Sequence, residues 1–158
     1  MEEEKRYYLT KEGLEKIKKE YEDLKQIKFA KTKGDVPRVL QSEDLNAEYL
    51  AFQEDIGFLD SRITELEHIL KNTEMIKNPH KDKQNAIGLG ATVLVDVNGQ
   101  SDEFTIIGTL EANPVLGKIS NESPVGRALL GHKIGEEVAV SSPVKTVYKI
   151  KKIKYRIG

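Results

Sequence analysis

Residues 45 to 70, LNAEYLAFQEDIGFLDSRITELEHIL, contain the pattern that decides the fold. Apolar side chains recur there at alternating steps of four and three residues, the a/d repeat of a coiled coil. The repeat consists of Leu45, Tyr49, Phe52, Ile56, Leu59, Ile63, Leu66 and Leu70. We therefore expect a long helix that packs against a second helix along this seam.

The segment before this repeat predicts the partner helix. Thr10 has the residue type of an N-cap, and the apolar steps that follow are made by Leu14, Ile17, Tyr21 and Leu24. Gly34 and Pro37 interrupt the pattern, and proline inside a helix costs about 3 kcal/mol. The first arm should end near Lys33, and the short connection makes the two arms antiparallel.

The charges of the two arms are complementary. The basic residues near the end of the first arm are Lys25, Lys28, Lys31, Lys33 and Arg38. Residues 43 to 60 of the second arm contain no basic residue and carry the acids Glu43, Asp44, Glu48, Glu54, Asp55 and Asp60. Pairing between the arms would fix the register of the hairpin, although each exposed pair is worth only a few tenths of a kcal/mol.

After residue 76 the pattern changes from helix to strand. Asn98-Gly99 between alternating apolar residues predicts a β-hairpin. Further strands are expected at 136–142 and 145–155, and a short helix at 123–131, with Ser123 as N-cap. The predicted domains are a coiled-coil hairpin at 1–76, a polar linker at 77–88 and a small antiparallel α+β domain with one short helix at 89–158.

The composition narrows the class of protein. The 158 residues carry a net charge of -1 and contain no cysteine, which excludes disulfides and thiolate metal sites. The N-terminal residues lack an apolar signal core, and no apolar run is long enough to span a membrane. We therefore expect a cytoplasmic protein that does not bind membranes.

A self-contained active site is not evident. His68, His80 and His132 are scattered, and none has a second ligand at metal-binding spacing. Glycines 88 and 90 lead into a strand, not a helix, which is a poor context for dinucleotide binding. We expect no enzyme activity of the chain by itself, and no metal ion or cofactor held stably by the chain alone.

The charged residues at the hairpin tip allow two interpretations. Glu43 and Asp44 follow Ser42, so they suit the first turn of a capped helix. They also suit the delivery of carboxylates to a Mg²⁺ ion in another enzyme's site. The nearby basic residues either form a solvated face or guide the end of a single-stranded nucleic acid; they are Lys28, Lys31, Lys33 and Arg38.

Five stretches resemble the Gre family of bacterial transcript-cleavage and elongation factors, and are GreA-like more than GreB-like. They are YLTKEGLEKIKKEYEDL at 8–24, NAEYLAFQEDIGFLDSRITELEHIL at 46–70, LGATVLVDV at 89–97, GKISNESPVGRALLGHKIGEEVAV at 117–140 and YKIKKIKY at 148–155. The resemblance runs nearly end to end. Its most specific part is the block from Lys118 to Val138.

This resemblance implies a fold and a partner. The C-terminal domain would be FKBP-like and would dock at the rim of the secondary channel of RNA polymerase, with Ser120, Ser123, Pro124 and Arg127 as our candidate contacts. The coiled coil of a monomer would enter the channel. Its acidic tip would share the polymerase's Mg²⁺ and stimulate the polymerase to cleave the 3′ end of backtracked nascent RNA. An alternative role for Ser120 to Arg127 is to close the small core.

The tip departs from the family's GDLSENAEY pattern. In an ungapped alignment on residues 46 to 49, the family's Asp falls on Ser42 and its Glu on Leu45. Glu43 and Asp44 occupy the positions between, and Asp35 is a candidate third carboxylate. This departure supports a second hypothesis, a channel-occupying regulator that does not promote cleavage.

The FKBP-like fold also raises a third hypothesis, a prolyl isomerase or chaperone. Isomerase activity needs an aromatic-lined pocket. After residue 85 the aromatic residues are only Phe104, Tyr148 and Tyr155. The sequence therefore favours docking over isomerisation.

Overall fold

A computed structural model describes residues 5–34, 47–141 and 144–156. The elements are β1 (Tyr7–Leu9), α1 (Lys11–Lys33), α2 (Ala47–Lys71), β2 (Thr73–Met75), β3 (Ala91–Val97), β4 (Gln100–Ile107), β5 (Lys118–Ser120), α3 (Pro124–Leu129), β6 (Glu137–Val140) and β7 (Thr146–Tyr155). Short 3₁₀ turns lie at Lys81–Lys83, Thr109–Glu111 and Pro114–Leu116. The chain forms two compact units: the helical unit is Leu14–Asn72, and the sheet unit is Met1–Gly13 with Thr73–Gly158.

The two long helices form an antiparallel hairpin, as predicted. Ion pairs join the helices, and residues later in α1 pair with residues earlier in α2, as in an antiparallel arrangement. These pairs are Glu20 with Arg62, Lys28 with Asp60, and Lys31 with Asp55. The expected complementarity of a basic and an acidic arm is therefore confirmed for Lys28 and Lys31, and α1 ends at Lys33 where the sequence predicted.

The apolar seam of α2 is confirmed over its described part. Ile63 and Leu66 are buried, whereas the other described seam residues are partly buried. Those partly buried residues are Tyr49, Phe52, Ile56, Leu59 and Leu70. Phe58, which the a/d repeat leaves outside the seam, is 75% exposed. The 4-3 spacing therefore identified the packed stripe as far as Leu66, but beyond it Ile69, which the repeat leaves out, is buried and Leu70 is only partly buried.

The boundary between the units differs from the predicted division at residues 77 to 88. β1 and β2, which flank the helical hairpin in sequence, pair with each other as parallel strands. The backbone N–H of Ile76 also donates to the carbonyl of Leu9 at 2.8 Å. Ile87, inside the predicted linker, is a buried member of the main core. Backbone pairing and burial therefore assign both of these regions to the sheet unit.

The main sheet has five strands in the order β5-β4-β3-β7-β6. The prediction of an antiparallel sheet is corrected at one edge, because β4 and β5 run parallel. Residues 108–117 connect them through two 3₁₀ turns instead of a tight hairpin, which allows β5 to enter in the same direction as β4. Asn98 and Gly99 have φ of 52° and 80°, so the predicted two-residue turn between β3 and β4 is confirmed.

One face of this sheet carries the core. Side chains at alternate positions of β3 point inward, and α3 contributes Leu129 to the same cluster. The fully buried members of the cluster include Val93, Val95, Ile106, Leu129 and Ile150. The opposite face carries mostly polar and charged side chains, together with Leu94 and the buried Ile107.

Candidate functional site

The basic residues predicted near the hairpin tip lie on the last turns of α1. Lys28 forms an ion pair with Asp60, and Lys31 Nζ lies 3.1 Å from Asp55 Oδ2. Lys33 Nζ lies 4.3 Å from the centroid of the Phe29 ring, a cation–π geometry. Each of these cations therefore already has an attractive partner within the helical unit.

The predicted acidic tip belongs to the connection between the helices. Glu43, Asp44, Asp35 and Arg38 lie outside the described residues. The described chain ends at Gly34 and resumes at Ala47, so these four residues lie between α1 and α2 in sequence.

The predicted docking segment is organised by two serine side chains. Ser123 caps α3, because its Oγ accepts from the Gly126 N–H at 3.1 Å and donates to the Ser120 carbonyl at 2.6 Å. Ser120 Oγ lies 2.7 Å from Thr109 Oγ1 and accepts from the Glu122 N–H at 3.0 Å. Both hydroxyls therefore hold the turn into α3 in place.

Pro124 and Arg127, in contrast, are exposed. Pro124 occupies the first turn of α3, where a proline costs no helical hydrogen bond. Arg127 forms no ion pair within the described residues. Of the four predicted docking residues, these two have side chains available to a partner, whereas Ser120 and Ser123 shape the backbone beneath them.

A carboxylate that the sequence analysis did not identify fixes the start of α1. Glu111 accepts from the Thr10 N–H at 2.8 Å and from the Thr10 hydroxyl at 2.5 Å. Thr10 Oγ1 in turn accepts from the Gly13 N–H at 3.1 Å, which confirms the predicted N-cap. A Cβ at Gly13 would collide with the Glu111 carboxylate, so a side chain there would require this carboxylate to move away. Thr10 and Glu111 are 101 positions apart, and nothing local signals their contact.

The aromatic residues of the sheet unit's C-terminal part serve its interior. Phe104 and Tyr148 pack edge to face with ring centroids 6.2 Å apart, against the main core. Burial raises the pKa of the Tyr155 hydroxyl, so this group stays protonated and donates to the Ala86 carbonyl at 2.7 Å. It also accepts from the Gly88 N–H at 2.8 Å. These rings are thus engaged in packing and in anchoring residues 86–88.

The histidines also have local partners. His132 Nδ1 lies 2.5 Å from Glu136 Oε2, and this hydrogen bond lowers the pKa of Glu136. His68 Nδ1 lies 3.2 Å from the side-chain amide of Asn72. Across residues 5–34, 47–141 and 144–156, no cluster of three His, Cys, Asp or Glu side chains is placed to hold a metal ion. No helix in the same ranges has the length and apolar character needed to cross a membrane.

Sequence comparisons place both units in one class, the transcription elongation factors. Residues 7–75 match the family described as transcription elongation factor, N-terminal. Residues 81–155 match the family described as transcription elongation factor, GreA/GreB, C-term. The chain belongs to the GreA/GreB family.

Individual relatives agree with this assignment. Transcription elongation factor GreA of Thermomicrobium roseum is 40% identical over 145 residues, covering 88% of this chain and 90% of the relative. The protein of the same name from Halalkalibacterium halodurans is 38% identical over 154 residues, covering 90% and 92%. Among solved structures, the GreA factor homolog 1 (Gfh1) protein of Thermus thermophilus matches with 26% identity, coverage of 95% and 99%, and a TM-score of 0.42.

Proposed function

We propose that this chain binds RNA polymerase as an elongation factor and stimulates the polymerase to cleave backtracked RNA. The observation that carries the proposal is the antiparallel hairpin, found in a chain of the GreA/GreB family. Its α1 arm has 23 residues and so is roughly 35 Å long. A two-helix hairpin of this length, with a narrow cross-section, suits insertion into a channel.

In this proposal the hairpin tip enters the polymerase's secondary channel and completes an active site there. Carboxylates such as those of Glu43 and Asp44 are the hard oxygen ligands that Mg²⁺ prefers. A Mg²⁺ ion of the polymerase supplies activation of water for phosphodiester hydrolysis. The chain's own part is to present carboxylates from the connection between α1 and α2. It acts as a cytoplasmic monomer and is not an enzyme by itself.

The basic residues of α1 would contact the nascent RNA 3′ end only after exchanging partners. Lys28 and Lys31 would have to leave Asp60 and Asp55, and half-exposed ion pairs of this kind are worth about 0.2–1 kcal/mol. A phosphate can offset a cost of that size. Lys33 needs no such exchange with a carboxylate, since its contact is with the Phe29 ring.

The contact with the polymerase rim is assigned to the exposed side of α3. Pro124 and Arg127 offer an apolar ring and a cation next to each other on a rigid turn. Ser120 and Ser123 act indirectly, by holding that turn. A rigid contact surface is an advantage in docking, because less conformational freedom is lost when the complex forms.

The experiment measures RNA length in backtracked elongation complexes incubated with the protein and Mg²⁺. The wild-type chain is expected to shorten the RNA, and Glu43→Ala/Asp44→Ala is expected to lower the rate by about a hundredfold or more, the range seen when one electrostatic catalytic contact is lost. Glu15→Ala/Asp23→Ala is the matched control, since it removes two exposed acids from α1 and should leave the rate unchanged. RNA of unchanged length with the wild-type chain would contradict the cleavage proposal.

The second candidate function is a regulator that occupies the channel without promoting cleavage. The observation favouring it is the tip sequence, which has Ser42 and Leu45 where the family pattern has Asp and Glu. In that case the wild-type chain competes with a cleaving factor for polymerase and slows RNA synthesis, but the RNA keeps its length. Ser42→Asp/Leu45→Glu should then introduce cleavage.

A further inference from the structure

The 3₁₀ turn Thr109–Glu111 contacts two parts of the sheet unit that are far apart in sequence. Thr109, the first residue of the turn, is hydrogen-bonded to the turn into α3. Glu111, the last residue, is hydrogen-bonded to Thr10 at the start of α1. Only Leu110 lies between them, so the two contacts are separated by a single residue of backbone. We call Thr109–Glu111 the link turn.

At the α3 end of the link turn, three residues form a closed ring of hydrogen bonds. The Thr109 hydroxyl donates to the Glu122 carboxylate at 3.0 Å, and the Glu122 N–H donates to Ser120 Oγ at 3.0 Å. Because the single proton of the Thr109 hydroxyl is used on this carboxylate, the Ser120 hydroxyl is the donor of the third bond, of 2.7 Å. Each residue of the ring both donates and accepts, so the bonds strengthen one another.

At the α1 end, both oxygens of the Glu111 carboxylate are used. Oε2 accepts from the Thr10 N–H, and Oε1 accepts from the Thr10 hydroxyl. The backbone of Gly13 lies against the same carboxylate. Residues 11 to 13 are the first three of α1, and they belong to the sheet unit. The link turn therefore holds the first residues of α1 in place.

The backbone of the link turn lies directly against β1. A Cβ at Gly108, immediately before the turn, would collide with the Tyr8 carbonyl, so the two backbones are in close contact. Within the turn, the Glu111 N–H donates to the Gly108 carbonyl at 3.1 Å. The two bonding side chains are therefore carried on a short backbone that is itself fixed to the strand leading into α1.

We propose that the link turn couples the docking contact on α3 to the first turn of α1, and that Glu111 is a positioning residue for RNA cleavage. The exposed docking candidates Pro124 and Arg127 lie on α3, which follows the turn that Thr109 holds. The effect on cleavage rests on the proposed function, whereas the coupling itself is a property of the free chain. Cleavage is a sensitive readout, because misplacing a catalytic group by about 1 Å can cost about a hundredfold in rate.

The first test measures the cleavage rate in backtracked complexes over a range of protein concentrations, which separates the maximal rate from the half-saturating concentration. Glu111→Gln should lower the maximal rate by about tenfold, because the tip carboxylates are then presented less accurately. The half-saturating concentration should not change, since the docking residues are intact. A general loss of stability would have the opposite signature, because a smaller folded fraction raises the half-saturating concentration and leaves the maximal rate unchanged.

Two substitutions of Thr10 provide a loss and a rescue. Thr10→Val removes the hydroxyl that bonds to Glu111 and Gly13, so it should lower the maximal rate as Glu111→Gln does. Thr10→Ser keeps this hydroxyl and should retain the wild-type rate. Glu12→Gln is the matched control for charge, because Glu12 is an exposed acid in the same first turn of α1. It should leave both the maximal rate and the half-saturating concentration unchanged.

The second test uses the free chain without polymerase. Thr109→Val breaks the ring at the α3 end and leaves Thr10, Gly13 and Glu111 unaltered. Coupling through the link turn should nevertheless make amide hydrogen exchange at Gly13 roughly two- to tenfold faster, the equivalent of one lost hydrogen bond. Val115→Ala is the control, since Val115 lies on the same connection between β4 and β5 and is 94% exposed.

Each of the following results would overturn the inference. They are an unchanged exchange rate of Gly13 in Thr109→Val, an equal change in Val115→Ala, and a raised half-saturating concentration with an unchanged maximal rate in Glu111→Gln. A wild-type chain that leaves the RNA uncut would instead contradict the proposed function. In that case hydrogen exchange alone decides whether the link turn couples its two contacts, because that measurement involves no cleavage.

Discussion

The helical unit and the sheet unit are stabilised by different balances of forces. The sheet unit has a core in which Val93, Ile106 and Ile150 are completely buried. In the helical unit the tip-side half of the α2 seam is only partly buried, and ion pairs such as that between Lys31 and Asp55 join the arms. Half-exposed contacts contribute less than buried ones. The comparison shows that one chain can combine a sheet with a fully buried core and a helical hairpin whose arms are joined by half-exposed contacts.

The largest expected effect tests the firm side of this comparison. Ile150→Ala removes a fully buried side chain from the sheet core and leaves a cavity, so it should lower the free energy of unfolding by about 3–4 kcal/mol. Urea unfolding measures this loss, and hydrogen exchange of the amides of β3 and β7 locates it in the sheet.

Leu59→Ala is the matched substitution in the hairpin, where the side chain is only partly buried. Its cost should be near 1 kcal/mol, because less apolar surface is returned to water. The loss should show in the exchange of α1 and α2 amides. Equal costs at the two positions would break the distinction between the units.

An intermediate effect is expected where α1 starts. Glu111→Gln keeps the size of the side chain but loses the charge that accepts from the Thr10 N–H and hydroxyl. Hydrogen bonds to charged groups contribute about 1.5–3 kcal/mol, so a loss of about 1–2 kcal/mol is expected after partial replacement by the amide. Thr10→Val in combination with Glu111→Gln gives a double-mutant cycle by urea unfolding. Additive losses would contradict a direct coupling.

The smallest effect concerns the ion pair that joins the hairpin arms. Arg62 Nε lies 2.7 Å from Glu20 Oε1, and this hydrogen bond lowers the pKa of Glu20. A lowered folded-state pKa gives stability that is present above the unfolded value, about 4.3, and is lost as pH falls through the folded value. Solvent screening limits the gain to under about 1 kcal/mol.

Glu20→Gln should therefore lower hairpin stability at pH 7 and leave it almost unchanged near pH 3, as followed by the ellipticity at 222 nm. Glu15→Gln, at an exposed position without this pairing, is the control. A deficit that persists at pH 3 would assign the effect to packing and not to charge.

Local signals in the sequence predicted much of this fold. The 4-3 spacing of the seam, the Asn98-Gly99 turn and the Ser123 cap each depend on neighbours a few residues away, and the structure has all three. The charge pattern also predicted that Lys28 and Lys31 pair across the hairpin. These features are encoded where they occur.

Long-range pairings were not predictable in the same way. β1 and β2 have three residues each, too few for an alternation pattern, and they meet only because the hairpin returns the chain. β5 is equally short, and its parallel pairing has no sequence mark. Glu111 looks like any surface acid until the fold brings it to Thr10. For the site, residue type predicted the candidates, but the internal use of Ser120 depends on Thr109, 11 positions away.

The parallel pairing of β1 with β2 has a consequence for the order of folding. Because the helical unit interrupts the sheet unit in sequence, joining β1 to β2 closes a loop of roughly 60 residues. For a flexible chain the length-dependent entropic cost of that closure is about 3–4 kcal/mol. If α1 and α2 have already paired through contacts that are closer in sequence, most of this cost is removed, because the hairpin brings its two ends together. We therefore expect the helical hairpin to form early in folding, although its contacts are half-exposed. Once formed, it holds β1 and β2 close enough to pair.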